Sequence, residues 1–341
     1  MSATINEKMP TAAFASAPAP APASAATPAR KLGKPRLLIL GCGDVGMRLL
    51  PLVRERFRVF AVTSQPARCA DLHAAGAIPI VADLDHPDTL ARLARLAKHV
   101  VHLAPPQADG MQDRRTRRLV AILPERVRLV YVSTSGVYGD CGGAWIDETR
   151  TVAPHNPRAR RRVDAEGVLR AWGRRGGRCV SILRVPGIYA GDRLPIARLQ
   201  KGSPALIAED DVHTNHIHAD DLAAIIALAL FRGLPGRVYH AVDDSHMKMA
   251  EYFDAVADAY GMARPPRLPR AQLAAEVSPM LLSFMSESRR LANDRLKAEL
   301  GMALRHPTVR DFLRSHAPLV VFGQTASTDF TGSVHATGGT V

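Results

Sequence analysis

The amino-acid sequence predicts an α/β protein with a doubly wound, mostly parallel seven-stranded sheet and a smaller, mainly helical C-terminal lobe. Three observations lead to this prediction. Short apolar runs alternate with helix-like segments up to residue 242, which is typical of a parallel sheet covered by helices on both faces. A glycine-rich turn joins the first run to the first helical segment, and after Ser245 the pattern becomes mostly helical.

The predicted elements follow one another in a regular order along the chain. Strands are expected at 36–40, 57–62, 78–82, 100–103, 129–132, 180–185 and 237–242. Helical segments are expected between them at 45–55, 67–75, 89–97, 113–123, 164–172 and 222–231. Each strand is short and is followed by a helical segment, so consecutive strands are expected to pair in parallel.

Composition separates a folded region from two flanking segments. Residues 1–35 form an arm rich in Ala and Pro, and residues 323–341 form a tail of small and polar residues. Neither segment holds enough apolar side chains to build a core, so both are expected to be disordered.

The folded region is expected to contain one main domain and one smaller lobe. The main domain spans 36–192, and the strand near 237–242 returns to its sheet. The lobe comprises 193–213 and 245–320, and is expected to hold the substrate over the carboxyl edge of the sheet.

Charge and composition indicate what kind of protein this is and which partners it is expected to bind. No run of eighteen apolar residues occurs, so no membrane-spanning helix is predicted. Four widely spaced cysteines predict a reduced, cytoplasmic protein without disulfides. The net charge of +13 favours contact with phosphates. Nucleic acid is not the expected partner, because only Trp172 places an aromatic ring in the arginine-rich stretch 158–178.

The sharpest motif is a glycine loop that follows the first strand directly and opens a helix. Its residues are Gly41, Cys42, Gly43, Asp44, Val45 and Gly46. Gly41 permits the tight turn, Gly43 lets the backbone approach a pyrophosphate, and Gly46 lets the helix pack close to the strand. The helix N-terminus would offer unpaired N–H groups to the phosphates. The motif therefore predicts a Rossmann-type dinucleotide site, and a turn without a ligand is the alternative interpretation.

The end of the second strand indicates which dinucleotide binds. A carboxylate there would hydrogen-bond the ribose 2′-hydroxyl, but the segment 63–68 contains none. Ser64 and Arg68 occupy this segment, and Arg68 could pair with a 2′-phosphate. The sequence favours NADP, with NAD as the alternative. In a second interpretation, Arg68 simply faces solvent and binds no phosphate.

Further cofactor contacts are expected at the ends of the other strands. Asp83 and Leu84 follow the third strand, where a side chain can meet the adenine. Ala104 and Pro105 follow the fourth strand, where the chain would border the nicotinamide end. The remaining expected contacts, at the ends of the fifth and sixth strands, are Ser133 and Pro186.

Several further motifs occur in order along residues 36–313. They are STSGVYGD at 133–140, WIDE at 145–148, LRVPGIY at 183–189, NHIHADDL at 215–222 and VYHAVDD at 238–244. Together with the glycine loop, they resemble the extended short-chain dehydrogenase/reductases, which form the NAD-dependent epimerase/dehydratase family. The resemblance implies an NAD(P)-dependent oxidoreductase, or an epimerase- or dehydratase-like enzyme, that acts on a small polar substrate.

The resemblance fails at the family's proton-transfer pair, a Tyr with a Lys four residues later. Counting back eight residues from Glu166 places these positions at Arg158 and Arg162. Arginine stays protonated and cannot serve as a general base. The chain therefore resembles an atypical member, and the alternative function is a catalytically silent NADP(H)-binding sensor or scaffold.

Other side chains are candidates for contact with the substrate. The resemblance implies that Thr134 binds the reacting oxygen, although it could also cap the strand end. Tyr138 is the nearest replacement proton donor, if its phenol points into the cleft; otherwise it packs at the strand end. Arg158 and Arg162 could grip a substrate phosphate or carboxylate, or they could lie on an exposed helix face. The sequence does not fix the oligomeric state, and a homodimer is one alternative.

One dense group of histidines and acids precedes the helix expected near Leu222. Its members are His213, His216, His218, Asp220 and Asp221. Their spacing matches no common zinc pattern, so no metal site is predicted. Asp220 or Asp221 is expected to be the N-cap of that helix.

Overall fold

The structure, a computed structural model, describes residues 33–277, 282 and 285–316. Residues 1–32 of the predicted arm and the whole predicted tail at 323–341 lie outside the described residues. From Lys34 onward the described residues belong to one compact unit.

Seven parallel strands form the central sheet. The described strands are β1 (Arg36–Leu40), β2 (Arg58–Thr63), β3 (Ile78–Val81), β4 (His99–His102), β5 (Val127–Thr134), β6 (Trp145–Ile146), β7 (Arg178–Val185), β8 (Gly187–Tyr189), β9 (Ala205–Leu206), β10 (His213–Thr214), β11 (His216–His218), β12 (Val238–His240), β13 (Met247–Lys248), β14 (Arg267–Leu268) and β15 (Arg290–Leu291). The sheet has the order β12-β7-β5-β4-β1-β2-β3, and every neighbouring pair is parallel. The predicted doubly wound, seven-stranded sheet is confirmed.

Helices fill the crossovers between these strands. The described α-helices are α1 (Asp44–Val53), α2 (Cys69–Ala74), α3 (Arg114–Ile122), α4 (Pro157–Gly173), α5 (Ile196–Gln200), α6 (Ala219–Arg232), α7 (Met249–Ala259), α8 (Arg270–Glu276), α9 (Asp294–Leu300) and α10 (Val309–His316). Short 3-10 helices occur at Pro66–Arg68, Pro87–Leu93, Ser135–Tyr138 and Gly191–Arg193. None of the described helices is long and apolar enough to cross a membrane.

The two faces of the sheet are covered by different helices. On one face, Leu49 of α1 and Ile226 of α6 belong to the same apolar cluster as the β1 residues Leu37 and Ile39. On the other face, the β1 residues Leu38 and Leu40 pack with α3 and α4. The central strands carry mostly apolar side chains because both faces of the sheet are buried.

One predicted helix takes a different form. The segment 89–97 was expected to be amphipathic and helical, but the crossover contains a 3-10 helix at Pro87–Leu93 instead. The Thr89 hydroxyl accepts a hydrogen bond from the Asp83 N–H at 2.9 Å and lies 2.7 Å from the His86 carbonyl oxygen. Local bonds of this kind compete with an α-helix and favour a tight turn.

The two segments predicted for the smaller lobe contribute to one apolar cluster, which also contains Tyr189 of β8. It includes Leu194, Leu206, Phe253, Leu273 and Phe312, which come from both predicted segments, 193–213 and 245–320. Side chains far apart in sequence therefore share one core beside the sheet.

Asp243 is a buried acid that lies three residues after the end of β12. Its side chain is 1% exposed, and its Oδ1 accepts a hydrogen bond from the Ser245 N–H at 2.9 Å. Burial penalises the charged carboxylate and raises the pKa of Asp243 to about 7. The folded protein therefore holds a proton that the unfolded chain releases near pH 3.8.

We expect this proton to make stability depend on pH. As pH rises from 3.8 to about 7, the free energy of unfolding should fall by a few kcal/mol, because only the folded state keeps Asp243 protonated. Asp243→Asn should flatten this slope and should stabilise the protein above pH 7. Urea denaturation at a series of pH values measures both effects.

The matched control is Asp244→Asn. Although partial burial opposes it, a hydrogen bond from Lys297 lowers the pKa of Asp244, so this group titrates only in acid. The control should leave the slope above about pH 5 unchanged. An equal flattening in both variants would refute the assignment to Asp243.

Candidate functional site

The strand order changes direction beside β1, and a pocket opens there at the carboxyl edge of the sheet. Strands β2 and β3 lie on one side of β1 and β4 lies on the other, which makes this position the switch point at which α/β sheets bind ligands. The pocket is lined by Gly41, Cys42, Gly43, Val62, Thr63, Ser64, Gln65, Arg68, Ala82, Asp83, Leu84, Ala104, Pro105 and Arg115.

The first two glycines of the loop are required for different physical reasons. Gly41 has a φ of +76°, and a Cβ on it would lie 2.6 Å from the Ala104 nitrogen. Gly43 has an ordinary φ of −83°, and a Cβ on it would meet no protein atom closer than the Gly41 carbonyl oxygen at 4.0 Å. The turn itself requires Gly41, whereas the space over Gly43 is an open cradle that fits a ligand's close approach to the backbone.

Helix α1 begins with backbone donors that no side chain caps. Its N-cap is Gly43, which makes no side-chain hydrogen bond. Asp44, in the first turn, directs its carboxylate to Arg48 at 2.9 Å and Arg193 at 2.8 Å. Free N–H groups at a helix N-terminus suit the phosphates of a dinucleotide.

Arg68 supplies a positive charge in this pocket. Its Nη1 donates to the Cys42 carbonyl oxygen at 3.0 Å, and it forms no ion pair with any described residue. Arg115 also lines the pocket, but its guanidinium is paired with Asp85, which lies 2.9 Å from Nε. The charge of Arg68 is therefore the one available to an anionic ligand.

Most of the predicted cofactor residues meet at this pocket. Those that line it are Gly41, Cys42, Gly43, Ser64, Arg68, Asp83, Leu84, Ala104 and Pro105, and those that do not are Asp44, Val45, Gly46, Ser133 and Pro186. Arg115 was missed, because it comes from α3 and nothing in its local sequence distinguishes it from the neighbouring arginines. Only the packing of α3 against the sheet edge brings it to the pocket.

A buried polar network occupies the ends of β5 and β7. Glu166 of α4 accepts two hydrogen bonds from Arg184 of β7, at 3.1 Å from Nε and 2.7 Å from Nη2. Ser133 donates its hydroxyl to Glu166 Oε1 at 2.7 Å, so this predicted cofactor residue is engaged inside the protein. The side chains of Arg184 and Glu166 are only 3% and 4% exposed.

Tyr138 belongs to the same network. Arg184 Nη1 donates to the Tyr138 hydroxyl at 2.6 Å, and that hydroxyl lies 2.5 Å from His240 Nε2. Burial lowers the pKa of His240 to about 4, so the ring is neutral at pH 7. Its Nδ1 lies 2.9 Å from the Ala292 carbonyl oxygen, which can only accept; Nδ1 therefore carries the hydrogen, and Nε2 accepts from Tyr138.

Both hydrogen-bonding sides of the Tyr138 hydroxyl are thus occupied. The side chain is 1% exposed, and burial raises its pKa to about 12. Tyr138 was expected to act as a proton donor only if its phenol points into an open cleft. In the structure the phenol is buried instead. Thr134 is half-buried, and its hydroxyl accepts from the Gly136 N–H at 3.3 Å.

The two arginines at the family's Tyr and Lys positions differ in exposure. Arg158 is exposed in the first turn of α4. Arg162 is 6% exposed, and its Nη1 donates to the Tyr131 hydroxyl at 3.0 Å and to the Val132 carbonyl oxygen at 2.7 Å. An accessible grip formed by both guanidinium groups is therefore not present, and only Arg158 is open to a ligand.

The N-cap of α6 differs from the one that the sequence predicted. Neither Asp220 nor Asp221 is the N-cap of α6; His218 is, and its Nδ1 accepts from the Asp220 N–H at 3.2 Å. Asp221 accepts from the N–H groups of Arg305 and His306, at 2.8 and 2.9 Å. This contact brings His306 beside the start of α6, which sequence spacing does not reveal.

Comparison with known proteins places this geometry in a family. Residues 37–241 match the sequence model of the NAD dependent epimerase/dehydratase family. An uncharacterized protein of Schizosaccharomyces pombe is 24% identical over 299 residues, which cover 83% of this chain and 99% of that protein.

Solved structures share the fold. A functionally unknown conserved protein from Silicibacter pomeroyi is 29% identical, with a TM-score of 0.67 over 83% of this chain and 98% of its own. The dTDP-glucose 4,6-dehydratase from Bacillus anthracis, solved in complex with NAD, is 16% identical, with a TM-score of 0.66 over 82% of this chain and 94% of its own. At that identity, the likeness to the dehydratase concerns the fold alone.

We expect the network around Glu166 to dominate local stability. Arg184→Leu leaves the buried Glu166 carboxylate without its main partner, and should lower the free energy of unfolding by about 3–5 kcal/mol. Denaturation in urea measures the change.

Arg170→Leu provides a control on the same carboxylate. Arg170 lies 3.4 Å from Glu166 Oε2, but its side chain is 40% exposed, so its removal should cost less than about 1 kcal/mol. Equal costs for the two variants would contradict the importance of the buried pair.

Proposed function

The chain belongs to the NAD dependent epimerase/dehydratase family, and on that premise we propose that it is an NADP(H)-dependent oxidoreductase or epimerase-like enzyme that acts on a small polar substrate. The observation that carries the proposal is the pocket at the switch point, where an open cradle over Gly43 adjoins Arg68, whose guanidinium forms no ion pair with any described residue. A dinucleotide needs both features, because its pyrophosphate approaches the backbone and its charge requires compensation.

The preference for NADP rests on the residues at the end of β2. Thr63, Ser64 and Gln65 line the pocket without a carboxylate that would bind a ribose 2′-hydroxyl and repel a 2′-phosphate. Arg68 would form charge-assisted hydrogen bonds with that phosphate. Asp83 and Leu84, at the end of β3, would border the adenine.

The bound nicotinamide would supply hydride exchange, and the chain would supply binding and orientation. Thr134 is the candidate for contact with the reacting oxygen, because its hydroxyl is half-buried at the end of β5. Exposed Arg158 is the candidate for contact with an anionic group of the substrate. Tyr138 would act as a positioning residue through Arg184 and His240, because both sides of its hydroxyl are in use.

A second function, an NADP(H)-binding sensor without turnover, is favoured by one specific observation. The Tyr and Lys positions of the family hold Arg158 and Arg162, and the phenols of Tyr131 and Tyr138 are both buried. Neither arginine can exchange a proton near neutral pH. In this case cofactor binding would be retained while no substrate is consumed.

We expect Arg68 to discriminate between the two dinucleotides. Loss of a charge-assisted contact costs about 1.5–3 kcal/mol, so Arg68→Ala should weaken NADPH binding about 10- to 100-fold and NADH binding much less. Fluorescence titration of wild type and variant with each nucleotide measures this difference.

Arg114→Ala is the matched control, because Arg114 is exposed, is paired with Asp109 at 2.7 Å and does not line the pocket. It should bind both nucleotides as wild type does. Failure of wild type to bind either nucleotide would remove the proposed function altogether. Equal losses for NADPH and NADH in Arg68→Ala would remove only the preference for NADP.

Turnover separates the enzyme from the sensor. A panel of small polar carbonyl and hydroxyl compounds, incubated with NADPH or NADP⁺, should reveal a substrate through the change in NADPH absorbance. With that substrate, Thr134→Val should lower kcat/KM about 10-fold or more, because the hydroxyl that binds the reacting oxygen is lost. Thr149→Val, at an exposed threonine whose hydroxyl bonds Asp147, should not. Tight NADPH binding without turnover of any compound would favour the sensor.

A further inference from the structure

Three potential metal ligands meet at the start of α6, outside the dinucleotide pocket. They are His218 at the end of β11, Asp220 in the first turn of α6, and His306 in the loop before α10. One ligand atom from each residue lies within 4.8 Å of the other two. The backbone bond from His306 to Asp221, at 2.9 Å, holds the distant loop in place.

Each of the two histidines keeps a ring nitrogen to which no described residue is bonded. His306 is 8% exposed as a whole residue, and its ring has no hydrogen-bond partner among the described residues. His218 is 3% exposed and uses Nδ1, which accepts the Asp220 N–H at 3.2 Å. The remaining nitrogens are not among the described polar atoms that are fully enclosed without a partner, so a ligand from solvent can reach them.

Aromatic packing accounts for only part of this arrangement. The rings of His218 and His306 lie 4.0 Å apart between centroids, and both are near Phe312. The contact between His306 and Phe312 is edge-to-face, with an interplanar angle of 89°, and the contact between His218 and Phe312 is tilted at 40°. Phenylalanine would pack in the same way at position 306, so packing does not explain the presence of a histidine.

The donor set of the cluster suits a cation. Imidazole nitrogens and carboxylate oxygens are both common metal ligands in proteins. Asp220 adds a carboxylate; its Oδ1 accepts from Arg48 at 2.7 Å, while its Oδ2 faces His218 Nδ1 at 3.9 Å.

We propose that His218, Asp220 and His306 form a binding site for a divalent transition metal of the zinc class. Two imidazole nitrogens and one carboxylate oxygen favour Zn²⁺ over Mg²⁺ or Ca²⁺, which prefer oxygen ligands alone. The ligand atoms would close from their present separation onto the ion, and a water molecule or His316 would supply the fourth position. The rings of His316 and His306 lie 5.3 Å apart.

The site would tie the start of α6 to the loop before α10. The sequence predicted no metal because the spacing within 213–221 fits no zinc pattern, and the third ligand comes from residue 306. The proposal is independent of cofactor binding, because none of the three residues lines the dinucleotide pocket.

The test uses the full chain after removal of metals by a chelator and dialysis. Isothermal titration with ZnCl₂ should give one tight site, Co²⁺ should produce the visible absorption of a low-symmetry site, and Zn²⁺ should raise Tm. His306→Phe keeps the ring packing and removes both nitrogens, and Asp220→Asn keeps the side-chain shape. Each variant should weaken Zn²⁺ affinity at least about 10-fold and abolish the rise in Tm.

His86→Phe is the matched control, because the side chain of His86 is 73% exposed and lies outside the cluster. It should bind Zn²⁺ as wild type does, and circular dichroism of each metal-free variant checks its fold. The proposal is overturned if wild type binds no Zn²⁺, or if folded His306→Phe and Asp220→Asn both retain its affinity and stoichiometry. NADPH titrations run in parallel keep this result separate from the cofactor proposal.

Discussion

The buried ion pair between Glu166 and Arg184 is the interaction on which the central architecture depends. Two charges removed from water are destabilising unless their hydrogen bonds are satisfied, and here the pairing is bidentate. The pair fixes α4 against β7, and through Ser133 and Tyr138 it also fixes the end of β5. The geometry of this half of the sheet edge follows from that constraint.

The same ion pair belongs to a buried polar network that is distinct from the pocket at the switch point. Tyr138 is committed to Arg184 and His240, and Arg162 to the backbone of β5, so the polar groups nearest the expected reaction centre serve the interior. The pocket at the switch point lies on the other side of β4, where Gly41 builds the turn and Gly43 leaves a cradle. The proposed dinucleotide site therefore does not share its residues with the buried network around Glu166.

Arginine has two opposite roles in this protein, and burial decides between them. Arg184 and Arg162 lie inside the fold and satisfy carboxylate, phenol and carbonyl oxygens. Arg68 lines the pocket and forms no ion pair with any described acid, so its charge is available to a ligand. The net charge of +13 therefore does not show which arginines can bind a ligand. The environment of each guanidinium indicates its function.

The central sheet and the glycine-loop turn could be predicted from the sequence alone. The spacing of apolar residues and the chemistry of a tight turn are local properties of the chain. Apolar runs predicted all seven strands of the sheet, and Gly41 and Gly43 predicted the pocket that the strand ends form. Tertiary structure alone decided which side chains meet across long separations. Arg115 joins the pocket through the packing of α3, Tyr138 is enclosed by β7 and β12, and His306 reaches His218 from 88 positions away. These contacts depend on how elements pack, and no local pattern encodes the packing partner of a polar side chain.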